Sequence, residues 1–168
     1  YKTESKAVVL NLTPSGIPAA MDEMTHRLGI TRFIAEPMAP KPMVEILIGV
    51  TRDAPIGLSL TLGAGGVLAE VMRDSETMLL PCDENDIRTA LQRLKIAPIL
   101  NGYRGDRGAD INAIVAAVKS IADYAVANHT TLQELDVNPL MVWSDRALVV
   151  DALIVRNKAV GKAMLWKF

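Results

Sequence analysis

Cysteine is almost absent: Cys82 is the only one in 168 residues. One thiol forms no internal disulfide and no cysteine-rich zinc site, which suits a reducing compartment and makes the cytoplasm the expected location. An excess of charge of either sign is also missing. The 18 Lys and Arg stand against 19 Asp and Glu, interspersed along the chain, for a net charge of -1. That balance leaves no basic footprint, so no nucleic-acid partner is expected. No run approaches the roughly 18 to 20 apolar residues that span a bilayer, and the start, YKTESKAVV, has no signal-peptide pattern, so no membrane role is expected. An initiating Met is lacking too, which suggests a piece of a longer polypeptide with Tyr1 in the middle of a fold. Internal repeats and low-complexity segments are absent. What remains is 50% hydrophobic and 22% charged, enough for one domain with a full core or for two small lobes.

Residues 59–74 read SLTLGAGGVLAEVMRD, and the glycines raise the question of a phosphate loop. A Walker loop needs Gly-Lys-Ser or Gly-Lys-Thr opening a helix, but Gly66 is followed by Val67 and Leu68. A dinucleotide fingerprint needs a small third residue where Leu68 stands, and VLAEV has the look of a strand. The local pattern leaves two readings, a phosphate-approaching loop or a glycine turn between two strands.

Along the chain, SKAVVLNL (5–12) reads as a strand. TPSGIP then leads into an amphipathic helix with Ile17, Ala20, Met21, Met24 and Leu28 on one face and Gly29 as its stop. TRFIAEPM (31–38) and MVEILIGVTR (43–52) read as adjacent antiparallel strands, the second with Val44, Ile46, Ile48 and Val50 on one face. IGLSLTL, VLAEV and TMLLP continue a sheet of five or more strands. Asp83 caps a helix bearing Ile87, Ala90, Leu91 and Leu94, and Asp110 opens a longer one bearing Ile111, Ile114, Val115, Val118, Ile121 and Ala122. Between them lies the loop LNGYRGDRGAD. LQELDVNPL and ALVVDALIV form a hairpin about Trp143 to Arg146. The tail RNKAVGKAMLWKF turns basic and reads as a frayed or edge-packed terminus.

The hairpin carries the chemistry. A symmetric turn at Ser144 and Asp145 pairs 143 with 146, and therefore Asn138 with Asp151. Directly opposed residues have Cβ atoms about 4.5 to 5.5 Å apart, so an amide oxygen and a carboxylate there can share one small cation. Magnesium suits the pair, because it takes few protein oxygens and completes its shell with water and nucleotide phosphates. Glu134 and Asp136 share the Asn138 face by alternation, although an acidic stripe of this kind also reads as a solvated sheet face. Pro139 points to a strand edge, where a ligand can reach.

FIAEPMAPKPMVEILIGVTRDAPIG, LTLGAGGVLAEVMRD, ILNGYRG and ELDVNPLMV followed by VVDALI, in this order, resemble the ATP-grasp segment of ADP-forming acyl-CoA synthetases. With YKTESKAVVLNL the resemblance covers about residues 1–155, and 156–168 remain as the basic tail. It implies the C-terminal lobe of an ATP-grasp domain, an α+β fold with a mostly antiparallel sheet and flanking helices. The implied activity makes acyl-CoA from a carboxylic acid, CoA and ATP, through an acyl phosphate and a phosphohistidine relay, with ATP and Mg2+ as cofactors. Implied partners are the CoA-binding and acyl-exchange domains and an N-terminal ATP-grasp lobe, with self-association left open.

The same resemblance implies that backbone near Glu36 and Met38 reads the adenine edge and that Glu45 faces ribose or metal, an exposed strand glutamate being the alternative. Gly65 and Gly66 let backbone approach the phosphates. Asn138 and Asp151 match magnesium ligands, Asp136 supports the relay histidine, and Glu70 is either a further carboxylate on the metal side or an outward-facing strand residue. Arg104 faces the transferring phosphoryl oxygens or orders its loop through a salt bridge. Tyr1 stands where the family pattern has the phosphate-carrying His, and tyrosine is no nitrogen nucleophile. The resemblance therefore also allows a regulatory or scaffolding remnant, a nucleotide sensor of the kind found beside a protein acetyltransferase.

Overall fold

A computed structural model describes residues 7–66, 73–105 and 107–157. The chain divides into two compact units, residues 1–41 and 42–168. In the first, a 3-10 turn at Pro14–Gly16 runs into helix α1, Ile17–Leu28, with Met24 buried. Gly29 ends the helix as expected, at φ 68° with its N–H donating to the Thr25 carbonyl. The expected strands at 5–12 and 31–38 are not formed among the described residues of this unit. Both segments are apolar enough to read as strands, but neither has a neighbour in the ladder, and Leu10 and Ile34 stand 60% and 88% exposed. A strand needs a partner to satisfy its backbone, which local composition alone cannot supply.

The second unit is built on a six-stranded antiparallel sheet, in agreement with the expected five or more strands. Its strands are β1 Val44–Asp53, β2 Gly57–Ala64, β3 Ser75–Leu79, β4 Leu132–Val142, β5 Ala147–Val149 and β6 Ala152–Arg156. The order is β3-β2-β1-β4-β5, with β6 also pairing β4. Period-2 alternation decides what each strand buries. Val44, Ile46, Ile48 and Val50 of β1 and Leu58, Leu60 and Leu62 of β2 all turn to the same covered face.

That face is closed by helices α2, Glu84–Arg93, and α4, Ile111–Ala127, with the short α3, Ala97–Leu100, between them. Asp83 starts α2 with a reciprocal capping box. Its carboxylate accepts from the Asn85 and Asp86 N–H groups at 2.7 and 2.9 Å, while Asp86 accepts from the Asp83 N–H at 2.9 Å. Asp110 caps α4 by accepting from the Ala113 N–H at 3.0 Å. Ile87, Ala90 and Leu91 of α2 and Ile114, Val115 and Val118 of α4 complete one core with the strands. Among the described residues of this unit no helix covers the opposite face of the sheet, and every residue of the edge strand β6 is exposed. Among the described residues, no helix is long and apolar enough to cross a membrane.

Candidate functional site

The open face concentrates the polar residues. Thr61 and Thr77 hydroxyls meet at 2.8 Å and those of Thr51 and Ser59 at 3.3 Å, forming short cross-strand rungs over β3, β2 and β1. On β4 the same face carries Glu134, Asp136 and Asn138.

The hairpin register follows the arithmetic of its turn. Trp143 N–H donates to the Arg146 carbonyl at 2.9 Å, and β4 pairs with β5 as Val142 with Ala147 and Leu140 with Val149. The same register continues into β6, Val137 with Ala152 and Asp136 with Leu153. Between these ladders Asn138 stands opposite Asp151, its N–H donating to the Asp151 carbonyl at 3.1 Å. The strand-edge expectation drawn from Pro139 is overturned, since β4 lies inside the sheet between β1 and β5–β6. The proline is tolerated for another reason. β1 pairs Ile46 with Leu140 but Ile48 with Val137, so Leu47 alone faces Asn138 and Pro139. At this bulge no ladder N–H is required of residue 139. The extra residue also moves the buried set from Leu135 and Val137 to Leu140 and Val142, so the core face stays continuous on either side.

Asp136 sits beside Glu134 and Asp151. Partial burial, followed by the negative charge of those two neighbours, holds its carboxyl above the ordinary aspartate value. A cation at this place offsets both causes. Among the described residues, no three His, Cys, Asp or Glu side chains converge as a metal cage. The two expected donors, Asn138 and Asp151, are one amide and one carboxylate on paired positions, a set that suits an ion bringing its other oxygens with it.

Glu45, Gly65 and Gly66 are brought together at the end of the sheet where β1 begins and β2 stops. Gly65 N–H donates to the Glu45 carbonyl at 2.7 Å. A methyl group on Gly65 would lie 3.0 Å from the Glu45 carbonyl carbon, and one on Gly66, at φ 60°, would collide with the Glu45 carboxylate. The glycines thus let the chain close tightly over Glu45. Asp74, outside the set read from sequence, stands beside the end of β2 just ahead of β3. It is the one buried charged residue among those described, 6% exposed. Its carboxylate accepts from the N–H groups of Lys95 at 2.7 Å and Ile96 at 3.0 Å, while its carbonyl accepts from Ala64 N–H at 3.0 Å. Its only sequence signal is an acid closing a segment between two strands, a pattern shared with surface turns.

Arg104 lies on an exposed loop closed by Ala109 N–H donating to the Leu100 carbonyl at 2.9 Å. It adopts φ 54°, and its guanidinium stacks over the Tyr103 ring, 5.2 Å from the centroid. The loop is anchored at the same sheet end as Glu45, through Asp110 N–H donating to the Trp143 carbonyl at 2.9 Å. Glu36 and Met38 belong to the unit of residues 1–41, in exposed chain without helix or strand. Glu70, the expected strand VLAEV and Tyr1 lie outside the described residues.

The paired hydroxyls, the carboxylates of β4 and the amide–carboxylate pair all belong to the open face of a mixed helix and antiparallel-sheet lobe. The model of the ATP-grasp domain matches residues 1–155, and the chain belongs to that family. Among curated relatives, the acetate–CoA ligase (ADP-forming) II subunit beta of Pyrococcus furiosus is 33% identical over 92% of this chain and 70% of its own length. The acetate–CoA ligase (ADP-forming) of Methanocaldococcus jannaschii is 31% identical over 93% of this chain, which spans only 24% of that protein. Among solved structures, a protein of Pyrococcus horikoshii superposes with a TM-score of 0.82 at 30% identity, over 94% of this chain and 70% of the other. An acetyl-coenzyme A synthetase of Ca. Korarchaeum cryptofilum gives the same TM-score of 0.82 at 29% identity, over 94% and 71% of the two chains. That structure holds coenzyme A and Mg-AMPPCP, with a phosphohistidine segment pointing towards the nucleotide site. The α+β, mostly antiparallel fold agrees with these neighbours.

Proposed function

We propose that residues 1–155 form the nucleotide-handling part of an ADP-forming acyl-CoA synthetase, with 156–168 as a basic tail. The observation that carries the reading is the cross-strand pair of Asn138 and Asp151, next to an Asp136 carboxyl held up by partial burial and then by its acidic neighbours. Bound Mg-ATP supplies the phosphoryl group and a cation that neutralises developing charge. In this reading Asn138 and Asp151 hold the cation, with Glu70 contributing from the metal side. Gly65 and Gly66 border the phosphates, Glu45 faces the ribose or the metal, and Glu36 and Met38 offer backbone to the adenine edge. Asp136 accepts or orients a proton on the group that takes the phosphoryl, and Arg104 meets the phosphoryl oxygens. CoA-binding and acyl-exchange domains and an N-terminal ATP-grasp lobe are the proposed partners, the cytoplasm the proposed location, and self-association stays open.

Tyr1, where the family pattern has His, favours a second reading: a nucleotide sensor or scaffold without synthetase activity. Protein from the complete natural gene separates the two. The synthetase reading expects magnesium-dependent ATP binding, together with ADP and phosphate release when a carboxylic acid and CoA are supplied. The sensor reading expects binding alone. Asp151→Asn should abolish the magnesium dependence of binding; a variant that keeps it removes the hairpin pair from the site.

A further inference from the structure

Gly49 occupies the middle of β1, the central strand. Its partners are Thr61 on β2 and Asp136 on β4, so on the open face it lies between a hydroxyl and a carboxylate. The fold itself gives no reason for glycine here. Gly49 lies in regular strand outside the left-handed region, and a methyl group added to it meets no heavy atom within 4 Å. Gly65 and Gly66 are the opposite case, because their missing side chains are required by Glu45. A glycine inside a strand costs about 0.5–1 kcal/mol relative to alanine, and β-branched residues are favoured further at such positions. A bare backbone at that cost marks close approach from outside the sheet.

We propose that Gly49 is the clearance residue of the nucleotide site, where the missing side chain admits the phosphate chain of a nucleoside triphosphate with its magnesium to the strand floor beside Asp136. The inference deepens the function proposed above and rests on it. Two further features point the same way. Glu134 and Asp136 stand opposite Thr51 and Gly49, and Asp151 opposite Asn138, so acidic residues line one flank of the open space, where a divalent cation has most to offset. On the other flank Thr61 is a short side chain tied to Thr77, so the floor stays low.

The test compares Gly49→Ala and Gly49→Val with the unaltered protein, made from the complete natural gene, by Mg-ATP titration and thermal unfolding. The expected result is an unfolding temperature equal to or above that of the unaltered protein in both variants. Mg-ATP affinity should fall about tenfold or more for valine, as a filled pocket excludes a group by that order, and by less for alanine, with magnesium-free ADP less affected. Valine binding Mg-ATP as the unaltered protein does would overturn the inference. So would unfolding temperature falling in step with affinity in the alanine variant, because the glycine would then serve the fold. Absence of Mg-ATP binding by the unaltered protein would instead sink the proposed function itself.

Discussion

On one face of the sheet Ile46, Ile48, Leu60, Leu62 and Leu140 are sealed beneath α2 and α4. On the other, Gly49, Thr61, Asp136 and Asn138 come from the same strands one residue away and are partly or fully exposed. The covered face follows the logic of burial, with large aliphatic side chains at most inward positions and Ala64, Arg52 and Glu76 at its margins. The open face departs from it at each step, with a glycine in a central strand, carboxylates beside carboxylates, and a proline at a bulge. A departure that weakens a sheet is informative where the fold does not require it. The comparison therefore divides the chain into residues that make the lobe and residues that the lobe holds out.

The largest expected effect tests the covered face. Ile48→Ala removes a fully buried side chain from the middle of β1, and such truncations cost about 2–5 kcal/mol. Urea unfolding should show that loss, while Mg-ATP affinity of the folded protein in cold, denaturant-free buffer stays near the unaltered value. A large affinity change without loss of stability would mean that the two faces are not separable.

A smaller effect is expected where the two sets of residues meet. Asp74 is buried and charged, and its carboxylate takes the N–H groups of Lys95 and Ile96. Asp74→Ala strands the buried Ile96 donor and should cost about 1.5–3 kcal/mol, the range for hydrogen bonds to a charged group. Asp74→Asn, with one acceptor oxygen in place of two, should fall between. Equal stability of all three proteins in urea unfolding would show that Asp74 is held by its backbone bond to Ala64 alone.

The same contrast explains what could be read before the fold was seen. Covered positions announced themselves through period: Val44 to Val50 and Leu58 to Leu62 alternate, and the stripes of α2 and α4 recur at helical spacing. The hairpin register was legible because a short turn fixes every pair beyond it, down to Asn138 opposite Asp151. The expected strands at 5–12 and 31–38 were misread because a hydrophobic run states that a segment can pair, not that a partner exists. The bulge at Asn138 and Pro139 escaped because it depends on the register with β1, which is not local. Asp74 and Gly49 were missed for a related reason: the first matters through N–H groups 21 and 22 residues away, the second through space above the sheet.

The smallest expected effect belongs to the open face and turns on a sign. Burial and the charges of Glu134 and Asp151 raise the Asp136 carboxyl in the folded protein, so the folded state holds that proton more tightly than the unfolded one. The penalty is absent below the unfolded value of about 3.9, grows as pH rises from there to the raised folded value, and is complete above it. Asp136→Asn removes the charge and the penalty together. At pH 7 without metal or nucleotide the variant should therefore melt slightly higher, by under about 2 °C because most of the side chain stays in water, and the difference should close near pH 3. Magnesium with ATP reverses the preference, since a nearby cation favours the ionised form. Under saturating Mg-ATP the unaltered protein should gain more in melting temperature than the variant. A variant that gains equally would assign the strain at Asp136 to the sheet alone and leave the open face without its charge-sensing centre.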